Sequence, residues 1–159
     1  MEQARRNKMF FNKKITFFNL EVSTREEVLK KMADKLYEAQ LVEPTFYKGI
    51  LDREEVFPTG LSVVPYGIAI PHTDADKVKV PQIAFASLKT PVKFKQMGNQ
   101  DSDVEVSLVF MLALKKAEDQ INMLQKLMDV FQNETMLIGF TQCKTQEDFE
   151  VLLNQVGLA

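Results

Sequence analysis

The stretch Gly67-Ile68-Ala69-Ile70-Pro71-His72-Thr73-Asp74 decides how this sequence is read. A short apolar run behind a glycine reads as a buried strand, and Pro71, with no N–H to give a ladder, ends it. The strand therefore delivers His72, the one histidine of the chain, to the loop beyond it. Loops at strand ends are where open α/β sheets place their ligands. Five of the six prolines (Pro58, Pro65, Pro71, Pro81, Pro91) fall around this segment, so the strands near it must be short and bounded by turns.

Working outward, residues 15–20 (rich in Phe and Ile) read as a first strand, 82–88 as another and 92–94 as a short one. Residues 97–103 are polar with one glycine and read as a loop. Val104, Val106, Leu108, Phe110 and Leu112 then alternate with Asp103, Glu105 and Ser107, and the alternation passes into an all-apolar run, a strand entering the core from its rim. Between the first two strands, Val28, Leu29, Met32, Ala33, Leu36 and Tyr37 recur with a 3.6-residue period, which predicts a helix over 24–39. Ser23 or Thr24 caps it, with Glu26 and Glu27 at capping-box spacing. Pro44 opens a second helix that ends near Glu55. After Pro91 the chain has no proline, and its end reads as three helices. The first carries an apolar stripe of Ile121, Leu124, Leu127, Met128 and Phe131, and Asn133 and Thr145 cap the other two. The order β-α-α-β-β-β-β-α-α-α predicts one mixed α/β domain, a sheet covered by helices.

Composition narrows the function. A chain of 159 residues is the size of one domain, and 45% hydrophobic with 26% charged residues is a globular mixture. With 20 basic and 22 acidic residues the net charge is −2, which argues against a dedicated nucleic-acid binder. The longest fully apolar run, residues 108–114, is far short of the roughly 20 residues that span a bilayer. The basic start (Arg5, Arg6, Lys8, Lys13, Lys14) leads into no signal-peptide apolar segment, and residues 1–14 read as a polar, mobile lead-in. The single cysteine, Cys143, precludes an internal disulfide and fits a reducing cytoplasm. One Cys and one His do not make a structural zinc site.

Chemistry that needs an imidazole must therefore use His72. Largely neutral near pH 7, it can serve as base, metal ligand or nucleophile. Asp74 and Asp76 beside it give a weak, mixed metal set. No G-x-S-x-G elbow supports a serine triad, and no glycine-rich nucleotide loop is present. That leaves His72 as the nucleophile itself. The residues alone carry an incidental histidine as well as a functional one.

The segment Gly67-Ile68-Ala69-Ile70-Pro71-His72 resembles the active-site signature of the fructose/mannitol-type EIIA domains of the bacterial phosphoenolpyruvate-dependent sugar phosphotransferase system (PTS). Leu51-Asp52-Arg53-Glu54, Phe57-Pro58-Thr59-Gly60, residues 81–88 and residues 104–114 agree with it in order and spacing. The flank Pro71-His72-Thr73-Asp74 and the Phe57–Gly60 segment look most like the galactitol-type branch. The resemblance implies a mannitol-type EIIA fold, a single α/β domain with a mixed β-sheet flanked by helices, over residues 15–159. It implies a cytoplasmic phosphotransferase with no cofactor and no metal. In such a protein His72 takes a phosphoryl group from phospho-HPr and passes it to a cysteine of the cognate EIIB, which serves the membrane EIIC. The sugar would be galactitol or a related carbohydrate.

By the same resemblance Arg53 sits beside the phosphohistidine, its planar fork suited to phosphate oxygens. Thr59 and Thr73 would donate hydroxyl hydrogen bonds to the phosphate, and Glu54 would orient Arg53. Mannitol- and fructose-type members carry a second histidine where this sequence has Gln120. A glutamine amide donates a hydrogen bond but carries no proton, so Gln120 is expected only to orient the phosphoryl group or His72. EIIB domains use a phosphorylated cysteine, but Cys143 lies between helical segments and reads as an incidental thiol near a cap. Met97, Phe94, Phe57 and Tyr66 are candidates for a docking rim, with core the stronger reading for the phenylalanines. The alternative from another class is a regulatory EIIA-like protein that signals its phosphorylation state by binding a partner.

Overall fold

The computed structural model describes residues 2–158, and the expected mixed α/β domain is present. Among the described residues the elements run α1 (Glu2–Met9), β1 (Thr16–Leu20), α2 (Arg25–Glu38), α3 (Phe46–Val56), β2 (Gly60–Leu61), β3 (Gly67–Ala69), β4 (Gln82–Gln96), β5 (Asn99–Ala113), α4 (Ala117–Val130), α5 (Glu134–Gln142) and α6 (Gln146–Gln155). A 3-10 turn at Ala75–Lys77 separates β3 from β4. β4 and β5 form the antiparallel spine, β1 runs parallel to β4 and β3 parallel to β5. β2 pairs antiparallel with β3 and touches the far end of β4 at Gly60 and Gln96. A Cβ on Gly67 would collide with the Glu105 carbonyl oxygen, so glycine is what lets β3 lie against β5.

Helices cover both faces of the sheet. Val28, Leu29, Met32 and Leu36 of α2 and Phe46 and Ile50 of α3 pack with Ala69, Ala84, Ala86, Val109 and Met111. On the other side Met123, Leu127, Leu137, Phe140, Phe149 and Leu153 of α4–α6 pack with Ile68, Ile70, Phe85, Leu108 and Phe110. The capping residues act as the sequence predicts. Thr24 accepts from the Glu27 N–H, Asn133 from Met136, and Thr145 forms a capping box with Asp148.

Four local expectations are corrected. The strands at 82–88 and 92–94 are one strand, β4, which bulges outward through Leu88–Pro91 before it pairs again at Val92. The polar stretch 97–103 is not a loop. Only Met97 and Gly98 turn, with Gly98 at φ 79°, and Asn99–Asp103 already belong to β5. The regular alternation of β5 breaks at Ser107, so Val104 and Val106 face α2 while Leu108, Phe110 and Leu112 face α4–α6. On α4 the buried row is Asp119, Met123, Leu127 and Val130, and Ile121 and Met128 are exposed.

The last correction has its cause at the N-terminus. The segment expected to be a mobile lead-in is helix α1 followed by buried Phe10 and Phe11; Met1 lies outside the described residues. Arg6 grips the nearly buried Asp119 carboxylate through two 2.6 Å hydrogen bonds and so fixes which face of α4 turns inward. Buried Gln82 donates to the Met9 carbonyl at 2.6 Å and to Asn12 Oδ1 at 2.9 Å, and its own oxygen accepts from the Lys13 N–H at 3.1 Å.

Candidate active site

His72 is placed by backbone pairing that continues past the proline. The Pro71 carbonyl accepts from the Leu112 N–H at 2.9 Å, and His72 itself bridges Leu112 in parallel. The half-buried imidazole turns its Nδ1 to the Ile70 carbonyl oxygen at 2.9 Å. A carbonyl can only accept, so Nδ1 carries the ring proton and Nε2 keeps the lone pair. Burial holds the imidazole below its ordinary pKa of 6.5. The Ile70 bond opposes this, and the nearby Arg53 charge adds to it. The site thus presents a neutral imidazole with one nucleophilic nitrogen.

Arg53 stands on the last turn of α3, where its charge reaches His72. Its Cζ lies 5.3 Å from the centroid of the Phe57 ring, and its buried Nε has no hydrogen-bond partner among the described residues. A guanidinium stacked on one side and unpaired at its edge is ready for an anion.

The acid next to it does something other than orient it. The Glu54 carboxylate is buried and is engaged by the turn after α3. There it accepts from the Thr59 N–H at 2.8 Å and from the Thr59 hydroxyl at 2.9 Å and 3.1 Å. The single hydroxyl hydrogen of the buried Thr59 is therefore committed to Glu54 and is not offered to a phosphate. Glu54 and Thr59 together clasp the 54–59 turn that carries Phe57 under Arg53.

Thr73 is half-buried and lines a cavity of about 380 Å³ together with Gly49, Asp52, Arg53, Val56, Phe57, Asp74 and Lys77, with His72 just outside that lining. Gln120 sits in the first turn of α4, half-buried, and its side chain makes no hydrogen bond to His72. Among the described residues no group of three His, Cys, Asp or Glu side chains converges to hold a metal ion. Cys143 is buried, and burial, reinforced by Asp148, pushes its thiol up to about 11. Such a thiol is a poor nucleophile. Of the rim candidates, Phe94 is core, Tyr66 is half-buried, and Phe57 and Met97 are exposed. Lys77 has no sequence motif to mark it. Only the fold brings it beside Arg53.

A chain of the solved Escherichia coli complex of enzyme IIAMTL with phosphorylated enzyme IIBMTL superposes with a TM-score of 0.73 over 89% of this chain and 94% of its own, at 23% identity. The likeness defines the class of fold, a mannitol-type EIIA domain. The sequence model of the family described as "Phosphoenolpyruvate-dependent sugar phosphotransferase system, EIIA 2" matches residues 9–156. The chain belongs to that family and is a phosphotransferase-system EIIA component. The galactitol-specific EIIA component of Escherichia coli is 32% identical over 128 residues, covering 79% of this chain and 85% of its own length. The ascorbate-specific EIIA component of Escherichia coli is 28% identical over 140 residues, covering 87% and 88%. Among the described residues no helix is long and apolar enough to cross a membrane.

Proposed function

We propose that this chain carries a phosphoryl group on Nε2 of His72, received from the phosphohistidine of HPr and passed to a cysteine of its cognate EIIB. The observation that carries the reading is the Nδ1–Ile70 hydrogen bond, which leaves Nε2 as the one lone pair on a neutral ring. In the first transfer the Nε2 lone pair forms a bond to phosphorus while the phosphorus–nitrogen bond of the donor breaks and its electron pair stays on the donor imidazole. His72 gains positive charge with its proton still on Nδ1, and the hydrogen bond to Ile70 strengthens as that charge develops. In the second transfer a thiolate of EIIB attacks phosphorus and the bonding pair returns to Nε2. Both steps balance without a metal or a nucleotide.

The chain's own contribution is position and charge. A loose phosphoryl-transfer transition state spreads charge over three equatorial oxygens, and Arg53 is the unpaired cation beside them. Gln120 orients the phosphoryl group or the ring, with Gln120→Ala expected to slow transfer far less than His72→Ala. The relay works in the cytoplasm and serves a membrane EIIC. The galactitol-specific relative and the Pro71–Asp74 flank together favour galactitol or a related carbohydrate.

Intact-mass analysis after incubation with phosphoenolpyruvate, Enzyme I and HPr tests the relay. The wild type should gain one acid-labile phosphate that His72→Ala lacks. No phosphate on either protein would overturn the reading. In cells, deletion should abolish uptake of the cognate carbohydrate. Intact uptake with altered regulation would replace transport by a signalling role.

A further inference from the structure

We propose that Lys77 is the second cation of the phosphoryl site, its ammonium and the Thr73 hydroxyl contacting the phosphoryl group that Arg53 holds from the other side. This rests on His72 being the phosphorylated residue. The starting observation is the bare face of α3 at Gly49. A Cβ there would lie 2.7 Å from Lys77 Cδ, 2.8 Å from Lys77 Cε and 2.7 Å from Thr73 Oγ1. The Lys77 stem therefore lies flat on helix backbone, side by side with the Thr73 hydroxyl, in space that only glycine leaves open. Arg53 is four residues further along α3, on the same face and one turn on. Gly49, Arg53, Thr73 and Lys77 line one cavity, and Thr73 is the residue next to His72 in the chain.

The backbone of Lys77 is held on both sides. Its N–H donates to Asp74 O at 3.2 Å, its carbonyl accepts from the Glu43 N–H at 2.8 Å, and Val78 bridges Val42. The ammonium makes no ion pair among the described residues. The acids nearest to hand are Asp52 and Asp74 in the cavity wall and Asp76 on the same turn, with Asp52 taken by Lys48 at 2.7 Å. Glu43, on the segment beside Lys77, faces Lys79 at 3.8 Å. The stem is half-buried on the helix while the head has no ionic partner among the described residues, so an anion that enters the cavity meets a point charge already in place. A phosphoryl group carrying close to two negative charges is matched by two cations better than by Arg53 alone. Arginine supplies the planar fork and lysine a point charge.

The test is phosphorus NMR on the full-length protein phosphorylated through Enzyme I and HPr, titrated with pH. A cation in contact with the phosphoryl group favours its more charged form, so Lys77→Gln should raise the ionisation midpoint of the phosphoryl signal by about one unit. Lys77→Arg should restore it. Gly49→Ala, which displaces both Lys77 and Thr73, should move it in the same direction as Lys77→Gln and serves if that variant fails to fold. Phosphorylation of Lys77→Gln should be about tenfold slower. A phosphohistidine signal with the same midpoint in wild type, Lys77→Gln and Gly49→Ala would overturn the proposal, even if transfer from HPr slowed, because Lys77 would then act on the partner's surface. No phosphohistidine signal in the wild type would instead overturn the relay on which the proposal rests.

Discussion

The carbonyl oxygen of Ile70 stands 2.9 Å from Nδ1 of His72, so the strand that delivers the histidine also sets its tautomer. Two residues of the same segment thereby settle which ring nitrogen carries the proton. The Ile70 carbonyl, just beyond β3, holds it on Nδ1, and Nε2 keeps its lone pair.

The protonation of His72 follows from its burial. Burial lowers its pKa from 6.5, with Arg53 adding to the effect against the Ile70 bond. An NMR titration of the ring should give a midpoint below 6.5, and Arg53→Gln should move that midpoint upward. The folded value lies below the unfolded one, so the unfolded chain binds the proton first. Stability from this group is full above the unfolded pKa and falls as pH drops through it towards the folded value. A wild-type midpoint at or above 6.5 would show that the ring is not desolvated.

Arg53 and Phe57 should differ in weight. Removal of the guanidinium in Arg53→Gln should slow phosphoryl transfer by roughly 10²–10³, the cost of losing a donor aimed at developing charge. Arg53→Lys should recover only part, since the fork is lost. Phe57→Ala removes a cation–π contact worth about 0.5–1 kcal/mol at an exposed site, or about 2–5-fold in rate. Transfer kinetics in which Phe57→Ala matches Arg53→Gln would mean that Phe57 has a task of its own.

The Glu54–Thr59 clasp makes a stability prediction. Glu54→Ala leaves the buried Thr59 N–H without an acceptor and should cost about 1–3 kcal/mol. Glu54→Gln keeps an oxygen for that N–H and an amide for the hydroxyl, so it should cost much less. Urea unfolding of the pair decides. Equal losses would place the importance of Glu54 in its charge.

Phe85 is the centre of the aromatic cluster over the sheet, 4.4 Å from the ring of Phe149 and 5.1 Å from Phe110, with Phe18 and Phe140 at its edges. Phe85→Ala should destabilise the fold by about 3–5 kcal/mol in urea unfolding with an unchanged slope. A loss below about 1 kcal/mol would mean that the four neighbouring rings collapse into the gap.

Much of this was legible in local pattern. The helix over 24–39, the caps at Thr24, Asn133 and Thr145, and the short buried strand before Pro71 rest on periodicity and on side chains that bond their own neighbours. What misled were places where a distant residue intervenes. Ile121 and Met128 look apolar at helical spacing, yet Arg6, 113 residues away from Asp119, rotates α4 to bury a different row. The alternation of β5 gives no warning of its bulge at Ser107, because apolar residues lie on both sides of it.

At the site, the sequence by itself singled out the proposed nucleophile: one histidine, behind one proline, after one buried strand. It also supplied Arg53, the one arginine beyond Arg25. Only the tertiary structure decided what the neighbouring polar residues do. Thr59 and Glu54 are five residues apart and satisfy each other once both are buried, since a buried carboxylate and a buried N–H each need a partner. Lys77 and Gly49 are distant in the chain and meet because the turn after β3 crosses the bare face of α3. Sequence spacing encodes contacts within an element. Contacts between elements depend on how the elements pack, and those are the contacts that assign roles around His72.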